Sequence, residues 1–378
     1  MRKICEQNSC TGCSLCAAMC PVSCISMKAG KLGHMFPHID CKECINCGLC
    51  TKNCPALKPV ELDAPQKAYA AWSKDDSDYR SSTSGGASSV LSQYIIRHGG
   101  VVYGCAVLPG AKIEHIRIDK IEDLYKIKGS KYVQSSILKV LPKIKEDIKK
   151  ERFVLFLGTP CQIAAVKKLF KTIPQKLYLV DLICHGTPSE KFLKAYLKRH
   201  VSLDDVDSIN FRSENGFIIS AFKKGKPIYS SPELWNNRYK DYYYNAFMDG
   251  FSYRDSCYEC KYATSRRCSD ITIGDFWGLG KEIACVQIPE HKYGISLVLP
   301  ITQKGEALFQ KVTNAMNVYE RPVSEAINGN DQLRRPKEKT KLVNLYRASQ
   351  PVLGDKNAYY FVIGLMKLYS KFRKILKR

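Results

Sequence analysis

Two cysteine runs of one spacing dominate the start of this chain: Cys10-x2-Cys13-x2-Cys16-x3-Cys20-Pro21 and Cys44-x2-Cys47-x2-Cys50-x3-Cys54-Pro55. Three thiolates on one tight loop can reach three corners of an iron-sulfur cubane, and the helical turn that follows carries the fourth cysteine away. The two halves then bind only as a unit. A structural zinc site with four cysteines takes two separated pairs, so two complete runs, each closed by Cys-Pro, argue for iron-sulfur clusters.

Doubled runs of this kind are those of bacterial two-cluster ferredoxins, in which the fourth cysteine of each run crosses to the other cluster. The inferred sets are Cys10, Cys13, Cys16 and Cys54 for one [4Fe-4S] cluster, and Cys44, Cys47, Cys50 and Cys20 for the other. Cys5, Cys24 and Cys41 fall outside both sets. Cys41 also has ligand spacing to Cys44 and Cys47, but only the register ending at Cys54-Pro55 completes the motif. The expected fold class is an α+β ferredoxin-like two-cluster module over residues 1–66, followed by a larger α/β domain with a mixed sheet over 67–335 and a basic helical extension over 336–378.

The first residues, "MRKICEQNSC", lack an apolar h-region, so a secretory signal is not expected. Eighteen cysteines in the chain then fit metal ligation in a reducing cytoplasm better than a disulfide framework. The formal net charge is +23. Each oxidised four-iron cluster with its four thiolates carries about −2, so three would lower the balance to roughly +17. The basic residues are scattered and form no recognition module, so nucleic-acid binding is not expected. Acidic partners, phosphate-bearing cofactors and anionic lipid are.

After a proline-punctuated linker ending near Lys67, strand and helix patterns alternate. "SSTSGGASSVLSQYIIRHGG" reads as a polar loop entering an amphipathic helix, "VVYGCAVL" as a strand, 137–150 as a helix, and "RFVLFLG" and "KLYLVDLIC" as buried strands. "SEKFLKAYLKRH" follows as a helix, and "SINFRS" with "GFIISAFKKGK" as an antiparallel insertion around Asn215-Gly216. This alternation argues an α/β domain. Two strand ends look alike: Thr159-Pro160 with Gln162, and Thr187-Pro188 with Glu190, each reading as a capping box with proline at the first helical position. Cys161 lies in one such first turn and Cys184 ends the strand leading to the other, and a helix amino terminus stabilises a thiolate. With Cys257 and Cys260 they make four ligands for a third cluster. Spacing alone leaves Cys268 as a competing fourth ligand, and scattered buried thiols as the plainer alternative. Cys105 reads as strand packing, and Cys285 has no evident partner.

The stretches "SGG", "GSKYVQS", "LGTPCQ", "DLICHGTPS", "CYEC" and "SDITIGDFWG" resemble the family of coenzyme F420-reducing hydrogenase and dehydrogenase beta subunits, over roughly residues 68 to 330. The resemblance implies FAD, a third [4Fe-4S] cluster, and electron passage between clusters and a substrate at the flavin. It implies Cys161, Cys184, Cys257 and Cys260 as the third set and moves the fourth ligand away from Cys268. No G-x-G-x-x-G fingerprint follows the first strand, so the flavin rests on the resemblance. The residues named for it are Ser84, Gly85 and Gly86 as a pyrophosphate cradle, and Lys131, Tyr132 and Gln134 near a phosphate or the flavin edge. His185 stands at a strand end, and Asp270, Gly274 and Asp275 are read as delivered to one end of the sheet. No catalytic acid is assigned.

The reading is an FAD-dependent iron-sulfur oxidoreductase whose partners are a low-potential electron carrier such as ferredoxin or F420 and an organic substrate, F420 or a glycan-pathway intermediate. The alternative is a non-catalytic electron-transfer subunit. The tail "LMKLYSKFRKILKR" places Leu365, Leu368, Tyr369, Phe372, Ile375 and Leu376 on one helical stripe among six basic residues. Packing on the domain and peripheral contact with an anionic membrane are both readings of such a helix.

Overall fold

The computed structural model describes residues 3–236 and 239–375, with side chains through Tyr369. Strands β1 (Ile25–Ala29) and β2 (Met35–Ile39) pair antiparallel, with Ile25 opposite Ile39. One-turn helices Leu15–Ala18 and Leu49–Lys52 follow the two cysteine loops, entered through Ser14 and Gly48 in left-handed conformation. The module's own apolar core is Ile4, Cys24, Ile25 and Ile39, and Cys16, Cys20, Cys44, Cys50 and Cys54 pack against it. So small a core does not hold a fold of this length without metal.

The large domain is built on β3 (Ala68–Ser73), β4 (Val101–Leu108), β5 (Lys112–Ile118), β6 (Val154–Gly158), β7 (Leu177–Leu182), β11 (Ile271–Asp275), β12 (Ser296–Pro300) and β13 (Met316–Arg321). They form one mixed sheet in the order β13-β3-β12-β11-β7-β6-β4-β5. The central neighbours β4, β6, β7 and β11 are parallel, and the flanking pairs are antiparallel. Strand alternation sorts the core into two layers. Val102, Leu155, Val180, Ile271 and Val298 pack against the helix Ala87–Arg97 on one face. Val101, Tyr103, Val154, Phe156, Leu177 and Leu179 pack against the helices Leu141–Lys149 and Pro160–Lys167 on the other. Both faces are covered, which is why these strands read as apolar runs.

The antiparallel insertion is present as a sheet of β8 (Ser208–Asn210), β9 (Ser220–Lys223) and β10 (Lys226–Ser230). Its second hairpin turns on Lys224 and Gly225, both at positive φ, the combination a tight hairpin turn prefers. The Thr159 capping box is formed. The second is not: the helix Glu190–Leu197 starts two residues later than expected, capped by the Ser189 hydroxyl. Glu190 instead accepts the Ile113 N–H.

The helix Lys341–Ile375 is interrupted at Gly354 (φ 71, ψ 167). Val343, Tyr346, Ala358, Tyr359, Val362 and Ile363 are buried in the cluster that includes the helix Tyr242–Met248, so most of this segment packs on the domain. Leu365, Leu368 and Tyr369 are exposed. The side chains of Phe372, Ile375 and Leu376, and those of the basic residues beyond Tyr369, lie outside the described residues. Among the described residues no helix is long and apolar enough to cross a membrane.

His115 on β5 is buried at 3% exposure. It stacks on Phe156 and is hydrogen-bonded to the Leu157 carbonyl at 2.8 Å and to Ser135 Oγ at 3.0 Å. Burial lowers its pKa from 6.5 to about 4. The unfolded chain therefore takes up a proton that the folded chain refuses. Stability is full above pH 6.5 and is lost as pH falls toward 4, by about 3 kcal/mol at the limit. The urea midpoint of unfolding should fall across that window, and fall less in a His115→Asn protein.

Candidate functional site

The parallel strands aim their carboxyl ends at one edge of the sheet, where open α/β folds place their ligands. Cys161 follows β6 in the first turn of its helix, with its sulfur 3.3 Å from Thr159 Oγ1. Cys184 follows β7, and Cys257 and Cys260 arrive on the one-turn helix Asp255–Cys257 and the loop after it. Cys161 lies within electrostatic range of Cys184, Cys257 and Cys260. Burial is the main cause that pushes all four thiols up, with mutual repulsion adding to it at Cys161, Cys184 and Cys257: Cys184 to about 12, Cys257 to about 11, Cys161 and Cys260 also upward. The helix terminus does not overcome burial at Cys161. Four buried thiols cannot all ionise on their own, and a cationic metal core is what makes four thiolates tenable there. The donor set therefore fits an iron-sulfur cluster.

Cys268 stands apart. It is 2% exposed, contacts the Pro160 carbonyl at 3.5 Å, and its charged neighbours are Asp181 and Arg267. Among the described residues, no three His, Cys, Asp or Glu side chains are close enough to share a single metal ion. A cubane takes its four thiolates on four different irons, so its ligands spread wider than those of one ion.

In the amino-terminal module, Cys10, Cys13, Cys16 and Cys54 line one small cavity together with Cys5. Hydrogen bonding from Cys5 is the largest cause that lowers Cys10 and Cys54 to about 6. At the other loop Cys24 lies 3.4 Å from Cys20 and interacts with Cys44. Both extra thiols thus neighbour a ligand set, which spacing did not reveal. Cys47 is exposed, and Cys44, Cys50 and Cys20 are half-buried.

The module is seated on the large domain beside the third set. Arg254, three residues before Cys257, donates to the Cys10 carbonyl (2.5 Å), the Met35 carbonyl (2.8 Å), Gln134 Oε1 (3.3 Å) and Cys10 Sγ (3.5 Å). Gln134 also donates to the Thr11 carbonyl, and His34 meets the Thr187 carbonyl at 3.0 Å. Gln134 is thus an interface residue. Tyr262 lies within electrostatic range of Cys13, Cys161 and Cys260, and its buried hydroxyl has no hydrogen-bond partner among the described residues.

A cavity of about 350 Å³ opens nearby, lined by Ser82, Thr83, Lys128, Ser130, Lys131 and Arg212, with Tyr125, Phe211 and Tyr293 among its walls. Its size is that of a small-molecule site. Lys128 is paired with Asp78 and Arg212 with Asp275. Among the described residues Lys131 donates only to the Lys128 carbonyl, and burial lowers its pKa to about 8. His185 lies within electrostatic range of Asp275, so the residue after Cys184 is near the cavity's Arg212.

Several expectations are corrected. The Ser84-Gly86 loop is packed rather than open: a Cβ on Gly85 would stand 2.1 Å from the Ala71 carbonyl, Ser84 Oγ donates to the Ile295 carbonyl, and Gly86 (φ 85) caps a helix. Asp270 and Asp275 bracket β11 and lie at opposite ends of it. Asp270 receives the Leu179 N–H, the Thr302 hydroxyl and Lys304, holding the far edge of the sheet. Gly274 makes room for Ile183, whose Cδ1 a Cβ would approach to 2.7 Å. Tyr132 is packed among Phe211, Phe217, Tyr244 and Phe247.

Comparison with known proteins agrees with this arrangement. Residues 9–57 match the 4Fe-4S dicluster domain, and residues 151–326 match the C terminus of the coenzyme F420 hydrogenase/dehydrogenase beta subunit. The chain joins these two domains. An uncharacterized protein of Methanocaldococcus jannaschii is 24% identical over 376 residues, covering 88% of this chain and 95% of its own length. Ferredoxin-1 of Caulobacter vibrioides is 36% identical over 76 residues, 19% of this chain and 60% of the ferredoxin. Among solved structures, a chain of the F420-reducing [NiFe] hydrogenase complex from Methanosarcina barkeri aligns with TM-score 0.47 and 20% identity, over 72% of this chain and 91% of that one. The beta-subunit domain fused to a dicluster domain makes this an iron-sulfur electron-transfer protein of the hydrogenase and dehydrogenase type.

Proposed function

We propose that this chain is an FAD-dependent iron-sulfur oxidoreductase with three [4Fe-4S] clusters, held by Cys10, Cys13, Cys16 and Cys54, by Cys44, Cys47, Cys50 and Cys20, and by Cys161, Cys184, Cys257 and Cys260. One observation carries the reading. The four buried thiols at the sheet edge lie between the amino-terminal module, across Tyr262, and the basic cavity, across His185, Asp275 and Arg212. Clusters supply one-electron transfer and flavin the step to a two-electron organic acceptor.

The chain's own residues set the conditions for that chemistry. The large-domain thiols sit in an apolar surround that keeps water away from them. Lys131, protonated at neutral pH and without a carboxylate partner among its hydrogen bonds, faces an anionic ligand in the cavity, and the hydroxyls of Ser82, Thr83 and Ser130 add neutral donors. The tyrosines and Phe211 provide flat walls for a ring. These features suit a cofactor or substrate carrying both an aromatic system and a phosphate, so FAD is assigned to the cavity, with F420 or a glycan-pathway intermediate as substrate and a low-potential carrier such as ferredoxin as the electron partner. The matched family is one of subunits, which favours a second reading: an electron-transfer subunit that hands electrons to a partner protein.

Protein purified without oxygen should carry about twelve irons, matching sulfide and one FAD. A count near eight irons removes the third cluster, and zinc in place of iron removes the scheme. Turnover of an organic acceptor by the isolated chain separates the enzyme from the electron-transfer subunit.

A further inference from the structure

Arg254 is 1% exposed and the largest of the fully buried side chains. Its donors end on two carbonyls, one amide oxygen and one thiol, and its guanidinium lies 4.2 Å from the Phe36 ring centre. The nearby carboxylate of Asp255 is taken by Lys339 and Arg347. No carboxylate among the described residues pairs with Arg254. A buried cation without a counter-ion is costly, and neutral acceptors only partly offset it. The chain nevertheless makes room for it: Gly12, at φ 67 inside the first cysteine loop, could not carry a Cβ without bringing it to 2.6 Å from the guanidinium.

We infer that the counter-ion of Arg254 is the negatively charged cluster on Cys10, Cys13, Cys16 and Cys54, and that Arg254 sets that cluster's reduction potential above that of its twin. This rests on the reading that those four thiols hold a cluster. Reduction adds one electron and no proton, taking the cluster with its thiolates from about −2 to about −3. A fixed positive charge against a ligand sulfur favours the more negative state, as do hydrogen bonds to cluster sulfurs. Cys5 donates to the same set. The second set, Cys44, Cys47, Cys50 and Cys20, has no arginine against it among the described hydrogen bonds, and Cys47 is exposed to water. Arg254 also lies within electrostatic range of Cys257, so the third set feels the same charge less directly. Two similar cysteine runs are thereby made unequal. The potential rises from the exposed cluster to the buried one, and electrons entering at the surface settle beside the large domain.

The test is a redox titration of the full chain with dithionite under anoxia, followed by electron paramagnetic resonance, for the native protein, Arg254→Gln and Arg254→Lys. The signal lost in a Cys47→Ala protein identifies the second cluster. In Arg254→Gln the ratio of reduced to oxidised first cluster at a fixed potential should fall about tenfold or more, equivalent to about 59 mV for one electron. The third cluster should shift less and the second not at all, and Arg254→Lys should recover most of the loss. Equal shifts in all clusters, or none in the first while its iron is retained, would overturn the assignment. Absence of the first cluster from the native protein would instead overturn the underlying ligand reading.

Discussion

A Cys184→Ala protein should lose about four irons and one reduced-cluster signal while the two amino-terminal signals persist. Cys268→Ala should keep all three. The contrast is expected because the two thiols, both buried, stand in different surroundings. Cys184 is one of four sulfurs that repel one another at the sheet edge. Cys268 faces Asp181, Arg267 and the Pro160 carbonyl. A ligand missing from a four-thiolate site leaves one iron open to water and oxygen, so the cluster is lost on handling. Electron delivery from the amino-terminal pair to any acceptor in the cavity should then collapse, since the third set is the intermediate station. The reverse pattern, a third signal surviving in Cys184→Ala and vanishing in Cys268→Ala, would exchange the two residues' roles.

The second large effect is on stability. Arg267 and Asp181 form an ion pair at 2.8 Å with side-chain exposures of 1% and 0%. Arg267 also donates to the Tyr262 carbonyl at 2.7 Å and to Thr272 Oγ1 at 3.2 Å, so it ties the loop after Cys260 to β7 and β11. Burial raises the Asp181 pKa even with the arginine beside it. Arg267→Met would leave that carboxylate buried with its main partner gone, at a cost of about 3–5 kcal/mol. Adding Asp181→Leu should restore most of the loss, because a pair of apolar residues carries no desolvation penalty. Unfolding by denaturant under anoxia measures both. A single variant within about 1 kcal/mol of native would mean that water reaches the site and the pair is not dry.

How much of this was legible beforehand depends on how local each signal is. The cysteine runs are complete within a dozen residues, and the strands β4, β6, β7 and β11 announce themselves as short apolar runs bounded by turn residues. Strands β3, β12 and β13 do not. "AYAAWS" is short and alanine-rich, "MNVYER" mixes polar with apolar, and their partners lie more than two hundred residues away in the chain. Asp270 and Asp275 looked like one cluster because five residues separate them, yet an extended strand carries them about 16 Å apart. Arg254 and Tyr262 gave no signal. A lone arginine before a cysteine pair reads as a solvated charge, and only the docked ferredoxin module turns it into an interior one.

The two cysteine loops also differ in how they will age in air. Cys47 is open to solvent, with Cys44 and Cys50 half-buried beside it, whereas Cys10 lies beneath Arg254 and Phe36. Dissolved oxygen therefore meets the outer loop first, and decay proceeds inward from the surface. The face that must be open for a redox partner to approach is the face that spoils. A preparation that has lost its outer iron can still look largely intact by iron content while no longer accepting electrons from outside.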